Sequence, residues 1–253
     1  MKLPQLWQRA FARQSRRSLS LELDMNEFNG ISPIQNSAME GKPISIRLYN
    51  FIIAALIFIG FCVMGAGCYI TRDIHFLMYL SSHAFSVMGI TFLGTIGGLI
   101  LMSVAQSRQS VPMSLGGFIL FITTFGFISS IGVMAADLPA INTAFTATAA
   151  ITVIFGALGV LFPRFFAKIS GVLCGALLAV VLVEIVLMVM GIDQTATDYV
   201  IVALFACFIG WDTYCATQVP PTVPNAVLMA SNLFVDIMNV FLRILSIINR
   251  SNN

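Results

Sequence analysis

Charge is what this sequence has least of. Asp, Glu, Lys and Arg make up 9% of its 253 residues, where a soluble domain carries about 25%. A chain that is 58% apolar, with mean hydropathy +0.93, is left with one comfortable class, a polytopic membrane protein. Basic residues do not alternate with exposed aromatics in any run, which argues against nucleic acid as a partner. Histidine is scarce: His75 and His83 have only Asp73 for acidic company. The five cysteines, Cys62, Cys68, Cys174, Cys207 and Cys215, form no C-x-x-C pair and all lie in apolar runs. They read as small hydrophobes rather than zinc ligands or a disulfide set. A G-x-x-x-x-G-K-[ST] loop is also missing, so no phosphate-cradling site is indicated and no resident cofactor is expected.

What is present is a series of long apolar runs. Residues 1–43 stand apart as a polar segment with Arg9, Arg13, Arg16 and Arg17, then Glu22, Asp24, Glu27 and Glu40. Its low hydrophobicity reads as a disordered cytoplasmic tail. The Arg/Ser-rich start also suits an amphipathic surface helix or a mitochondrial transit peptide, but no apolar stretch follows at once as in a signal peptide. Residues 44–250 form a transmembrane domain. Seven runs there reach the roughly 17–25 residues a spanning helix needs. They cover residues 47–70, 76–104, 113–135, 139–162, 167–191, 197–217 and 225–248. The connections are short, so the expected fold is all-α, one seven-helix bundle with the seventh helix central. Paired small residues, among them Gly65 and Gly67, Gly94 to Gly98, Gly116 and Gly117, Gly156 and Gly159, and Gly171 and Gly175, are expected to be packing seams.

Lys/Arg placement sets the orientation. With the N-terminus in the cytoplasm, Lys42, Arg47, Arg108, Arg164 and Lys168 all fall inside, while Arg72 and Arg250 fall outside. Asp73, Asp137, Asp193 and Asp198 then face outward. An integral protein of a bacterial plasma membrane fits best; a mitochondrial inner membrane is the alternative if the N-terminal segment is a transit peptide.

Three acids lie well inside apolar runs: Glu184, Asp212 and Asp236. A charge at the bilayer centre costs about 2.5–3.5 kcal/mol on insertion scales, so an intramembrane acid marks a functional site by default. In the last run Asn232, Asp236, Asn239 and Arg243 follow steps of 4, 3 and 4, which places them on one helix face. That stripe must turn away from lipid, which is why the last helix is expected at the centre. Counted from the proline-rich turn at Pro220 and Pro221, Asp212 lies about 10 Å deep and Asp236 about 18 Å deep, so contact needs tilt or an unequal turn. If the two meet, they cannot both ionise easily and would share a proton. Deprotonated, they offer calcium hard oxygens, but two Asp with Asn232, Asn239 and water make only a weak, transient site. Simpler roles are also open: Asp236 as a structural partner of Arg243, Arg243 snorkelling to the interface, Asp212 as an interfacial acid, Glu184 in a local polar contact, and Arg108 as a positive-inside anchor.

Asp212-Thr213, followed by Leu233-Phe234-Val235-Asp236-Ile237-Met238-Asn239-Val240-Phe241-Leu242-Arg243-Ile244-Leu245, resembles the sixth- and seventh-helix motifs of the Bax inhibitor-1 family. Ala144 to Ala150 is similar to that family's fourth helix. The resemblance spans about residues 45–250, though only the last two helices carry specific motifs. It implies a pH-sensitive calcium leak, with Asp212 and Asp236 as proton sensor and Arg108 as a latch that can reach them. Tyr214 stands where the family often has Gln, and Trp211 where it often has Tyr. Bacterial relatives can carry a Glu in helix two; no acid lies between Asp73 and Asp137 here, and Glu184 is the candidate substitute for the ion path.

Other readings compete. Two intramembrane aspartates also suit an aspartyl protease, but the G-x-G-D and P-A-L contexts are missing, so no enzyme is expected. A regulatory protein acting through membrane protein partners and a proton-coupled cation exchanger both stay open. The expected partners are the lipid bilayer, calcium and protons.

Overall fold

A computed structural model describes residues 41–251, except residues 72, 135 and 193 and the side chain of residue 77. The expected tail, residues 1–43, therefore lies almost wholly outside the described residues. Eight helices follow in order: α1 Ile46–Thr71, α2 Ile74–Ser82, α3 Ala84–Ser107, α4 Val111–Val133, α5 Leu138–Leu161, α6 Pro163–Met190, α7 Thr195–Gln218 and α8 Val223–Ser251. All but α2 are long and apolar enough to cross a membrane.

Their ends follow local chemistry. Ser45 Oγ accepts the Leu48 amide at the start of α1. The Asp73 carboxylate accepts the His75 and Phe76 amides, and Asp137 accepts Ala140, which starts α2 and α5. Pro112, Pro139 and Pro163 sit in first turns, where a missing N–H costs nothing. Gly191, at φ 67°, lets the chain turn out of α6 and bond back to Leu187. The expected second span divides in two: the Asp73 cap starts a short helix, and His83 at φ −120° breaks the ladder before α3 begins.

α8 is the centre. It packs against α1, α3, α4, α5 and α7, and Phe234, Met238 and Phe241 are buried there. Phe234 meets Phe61, Phe121 and Phe125 edge-on. α6 is the outlier; it lies against α7 and leaves most of its apolar surface outward.

The glycine seams divide accordingly. Gly98 and Gly117 bring α3 and α4 together so closely that a Cβ on either would lie about 3 Å from the other's carbonyl oxygen. Gly67 faces Ser130, and Gly159 faces Gly210. By contrast Gly65, Gly116, Gly171 and Gly175 face open space, so the expectation of a seam is wrong for them. For Gly171 and Gly175 the reason is position: α6 is peripheral and turns that face away from the bundle.

Candidate functional site: a carboxyl pair and a charged cluster on the last helices

The site depends on the register between α7 and α8. Their connection, residues 219–222, leaves α7 with Val219 extended, at φ −93° and ψ 150°, and then tightens, the Thr222 amide donating to the Pro220 carbonyl. Thr222 Oγ1 accepts the Asn225 amide, Asn225 Nδ2 donates to the Pro220 carbonyl, and the Ile44 amide donates to Pro221. These bonds hold the turn in shape.

Asp212 and Asp236 meet. Their carboxyl groups lie close enough to couple, and both residues are buried, at 5% and 6% exposure. A hydrogen bond between two carboxyls needs one O–H to donate, so such a bond forms only when one of them is protonated. Among the described residues Asp236 Oδ2 is buried and has no hydrogen-bond partner. Among the described residues no cation pairs with either acid. Cys215 and Thr213 are the polar neighbours on the Asp212 side. No three acidic, histidine or cysteine side chains converge among the described residues, so the pair supplies carboxylate oxygens from two residues only.

Two residues of the polar stripe stay near this pair but serve other ends. Asn239 Nδ2 donates to the Val235 carbonyl of its own helix, and Asn232 is half-buried. Arg108 caps α3 and is exposed; among the described residues it makes no ion pair. Its neighbour Gln109 bonds Asn225, which sits 11 residues, or about 16 Å along the helix, from Asp236. The contact between Arg108 and the carboxyl pair that the resemblance implies is therefore not formed here.

Glu184 and Arg243 belong to a second cluster at the opposite end. Arg243 reaches across from α8 to Glu184 on α6 at 2.6 Å and to Asp198 on α7 at 2.7 Å. The Arg243–Asp236 pair considered from sequence is not formed. Two turns separate the alternatives: seven residues carry the guanidinium about 10 Å along α8, to the level of Asp198. Arg250 adds a 3.0 Å contact to Asp198, Ser246 donates to the same carboxylate, and Thr197 donates to Glu184. Asp198 is fully buried.

Sequence reasoning missed Asp198 and Arg250 as members of a site, taking both for residues of the water-facing ends. A signal was there. Asp198 precedes Asp212 by 14 residues, and Arg250 follows Asp236 by 14. In an antiparallel pair these offsets match, so whatever register joins one pair joins the other.

A bundle of seven spanning helices with ionisable groups facing inward on its last two defines an integral membrane protein with a buried acidic centre. The chain belongs to the Bax inhibitor-1 family, described as inhibitor of apoptosis-promoting Bax1, whose family model matches residues 32–253. No curated protein matches it.

Proposed function

We propose that this protein is a pH-regulated calcium-leak channel of the Bax inhibitor-1 type, in which Asp212 and Asp236 sense protons. The observation that carries this reading is the buried meeting of two carboxyl groups with no cation beside them among the described residues. With its proton, the pair fastens α7 to α8. Without it, two like charges about 4 Å apart repel by the order of 4 kcal/mol at a protein-like dielectric. That exceeds one hydrogen bond, about 1 kcal/mol net, so proton loss favours separation of the helices. The freed carboxylates are hard ligands of the type calcium takes, and too few to hold it for long. Conduction therefore rises as pH rises through the titration of the pair, and falls again on acidification. The role is transport rather than catalysis, in a bacterial plasma membrane, with the end bearing Arg108, Arg164 and Lys168 in the cytoplasm.

The test is calcium entry into liposomes that contain only this protein, stepped from about pH 6 to about pH 8. Wild type is expected to conduct more at the higher pH. Asp212→Asn keeps a donor permanently against Asp236, so its flux is expected to stay low and flat across the range; Asp236→Asn acts likewise. A folded wild type that moves no calcium at any pH sinks the leak, and an unchanged pH profile in both variants sinks the sensor.

A further inference from the structure

A cavity of about 610 Å³ opens at the basic end of the bundle, between α1 on one side and α5 and α7 on the other. α1 packs on α4 and α8, while α5 packs on α7 and α8, so α8 forms the floor between them. Buried Leu233 lines that floor, and buried Ile53 the α1 wall beside it. The rim carries Ile46, Asn50, Ala54 and Val160, all exposed. The Ile44 to Pro221 backbone bond closes the end nearest the chain's entry into α1. Tyr49 lines the same space; the residue is 4% exposed, and its hydroxyl has no hydrogen-bond partner.

These features ask for an occupant. The recess is apolar and lies in helices that span a bilayer, so the medium at its mouth is lipid. Left empty, its walls would lose their dispersion contacts. A buried hydroxyl without a partner is also unfavourable and is met by a ligand's acceptor or donor. Lys42 and Arg47, both exposed, lie on either side of the chain's entry into α1 beside Ile46. Cations at a membrane surface draw anionic headgroups, by about five-fold in affinity per side chain.

We propose that this crevice is a lipid site holding one acyl chain of an anionic phospholipid, with its glycerol-ester region at Tyr49 and its headgroup at Lys42 and Arg47. Apolar contact alone discriminates little here, because the chain leaves one hydrocarbon medium for another. Selectivity therefore comes from the hydroxyl and the two cations.

Native mass spectrometry of the full-length protein, titrated with a phosphatidylglycerol and with a phosphatidylcholine of the same chains, tests this. Wild type is expected to retain one phosphatidylglycerol with at least about five-fold preference. Ala54→Trp, which fills the mouth from an exposed position, should lose that lipid while its melting temperature holds. Val160→Trp on the facing wall is the second filling variant, should the first fail to fold. Tyr49→Phe should weaken retention by about five-fold, the worth of one hydrogen bond. Lys42→Gln with Arg47→Gln should abolish the headgroup preference and leave chain binding. Equal retention of the two lipids by wild type overturns the assignment. So does wild-type retention in a folded filling variant, or no retained lipid at all, as when another segment of the chain covers the crevice.

Discussion

Arg243→Ala is expected to lower the unfolding temperature of the detergent-purified protein by roughly 6–10 °C, on the scaling for chains of this size. The guanidinium bridges three helices through Glu184 and Asp198. Removing one partner of a buried ion pair costs about 3 kcal/mol, because the other charge stays behind in low dielectric. The damage is uneven. Asp198 keeps Arg250 and the Ser246 hydroxyl, whereas among the described residues Glu184 keeps only the Thr197 hydroxyl. Glu184→Gln in the Arg243→Ala background should therefore recover much of the loss, while Asp198→Asn in that background should recover less. A melting temperature for Arg243→Ala within about 2 °C of wild type would show the cluster to be solvated and energetically idle.

Gly159→Val is expected to disrupt packing just as severely, by a different route. A Cβ at Gly159 would run into the carbonyl oxygen of Gly210, backbone against backbone, so no rotamer change relieves it. Gly210 is constrained in turn by the Phe155 carbonyl and the ring of Phe166. The cost is about 3 kcal/mol, the upper part of the overpacking range, and α7 must move off α5. Asp212 lies two residues beyond Gly210, so the carboxyl pair should be disturbed as well. Gly156→Ala is the control: a Cβ there meets only Thr213 Oγ1 at 3.6 Å, an ordinary contact, and its effect should be small. Thermal unfolding in detergent, with the infrared band of the protonated carboxyl as the second reading, separates the two variants. Equal stability for both would mean that the α5–α7 contact adapts freely.

Hydrophobic length alone placed six of the seven spans within a few residues of their ends, while the second, expected from residue 76, begins at Ala84 because His83 breaks the run. The polar stripe on the last run placed α8 at the centre for a similar reason: Asp236 between Leu233 and Val240 cannot face hydrocarbon. The meeting of Asp212 with Asp236 was not readable, because it depends on the shape of the turn at residues 219–222, which the prolines there do not specify. The partners of Arg243 were hidden for a related reason. Glu184 reaches it from α6, and nothing in the spacing along α8 specifies which neighbouring helix supplies a carboxylate. Arg108 shows the limit of resemblance: the residue is present, but the contact with the carboxyl pair that the resemblance implies is not formed.

The equal spacing of 14 residues has a mechanical consequence. On α8 the carboxyl pair and the Asp198–Arg250 contact are about 21 Å apart. The far contact is an ion pair, whereas on the function proposed above the near one rests on a proton. On that reading α8 is a lever pinned at one end and releasable at the other. Opening a gap of about 3 Å at the releasable end is then a tilt of only about 8°, over an arm of about 21 Å. So small a pivot would leave the packing of the seven long helices intact while parting α7 from α8 at one end.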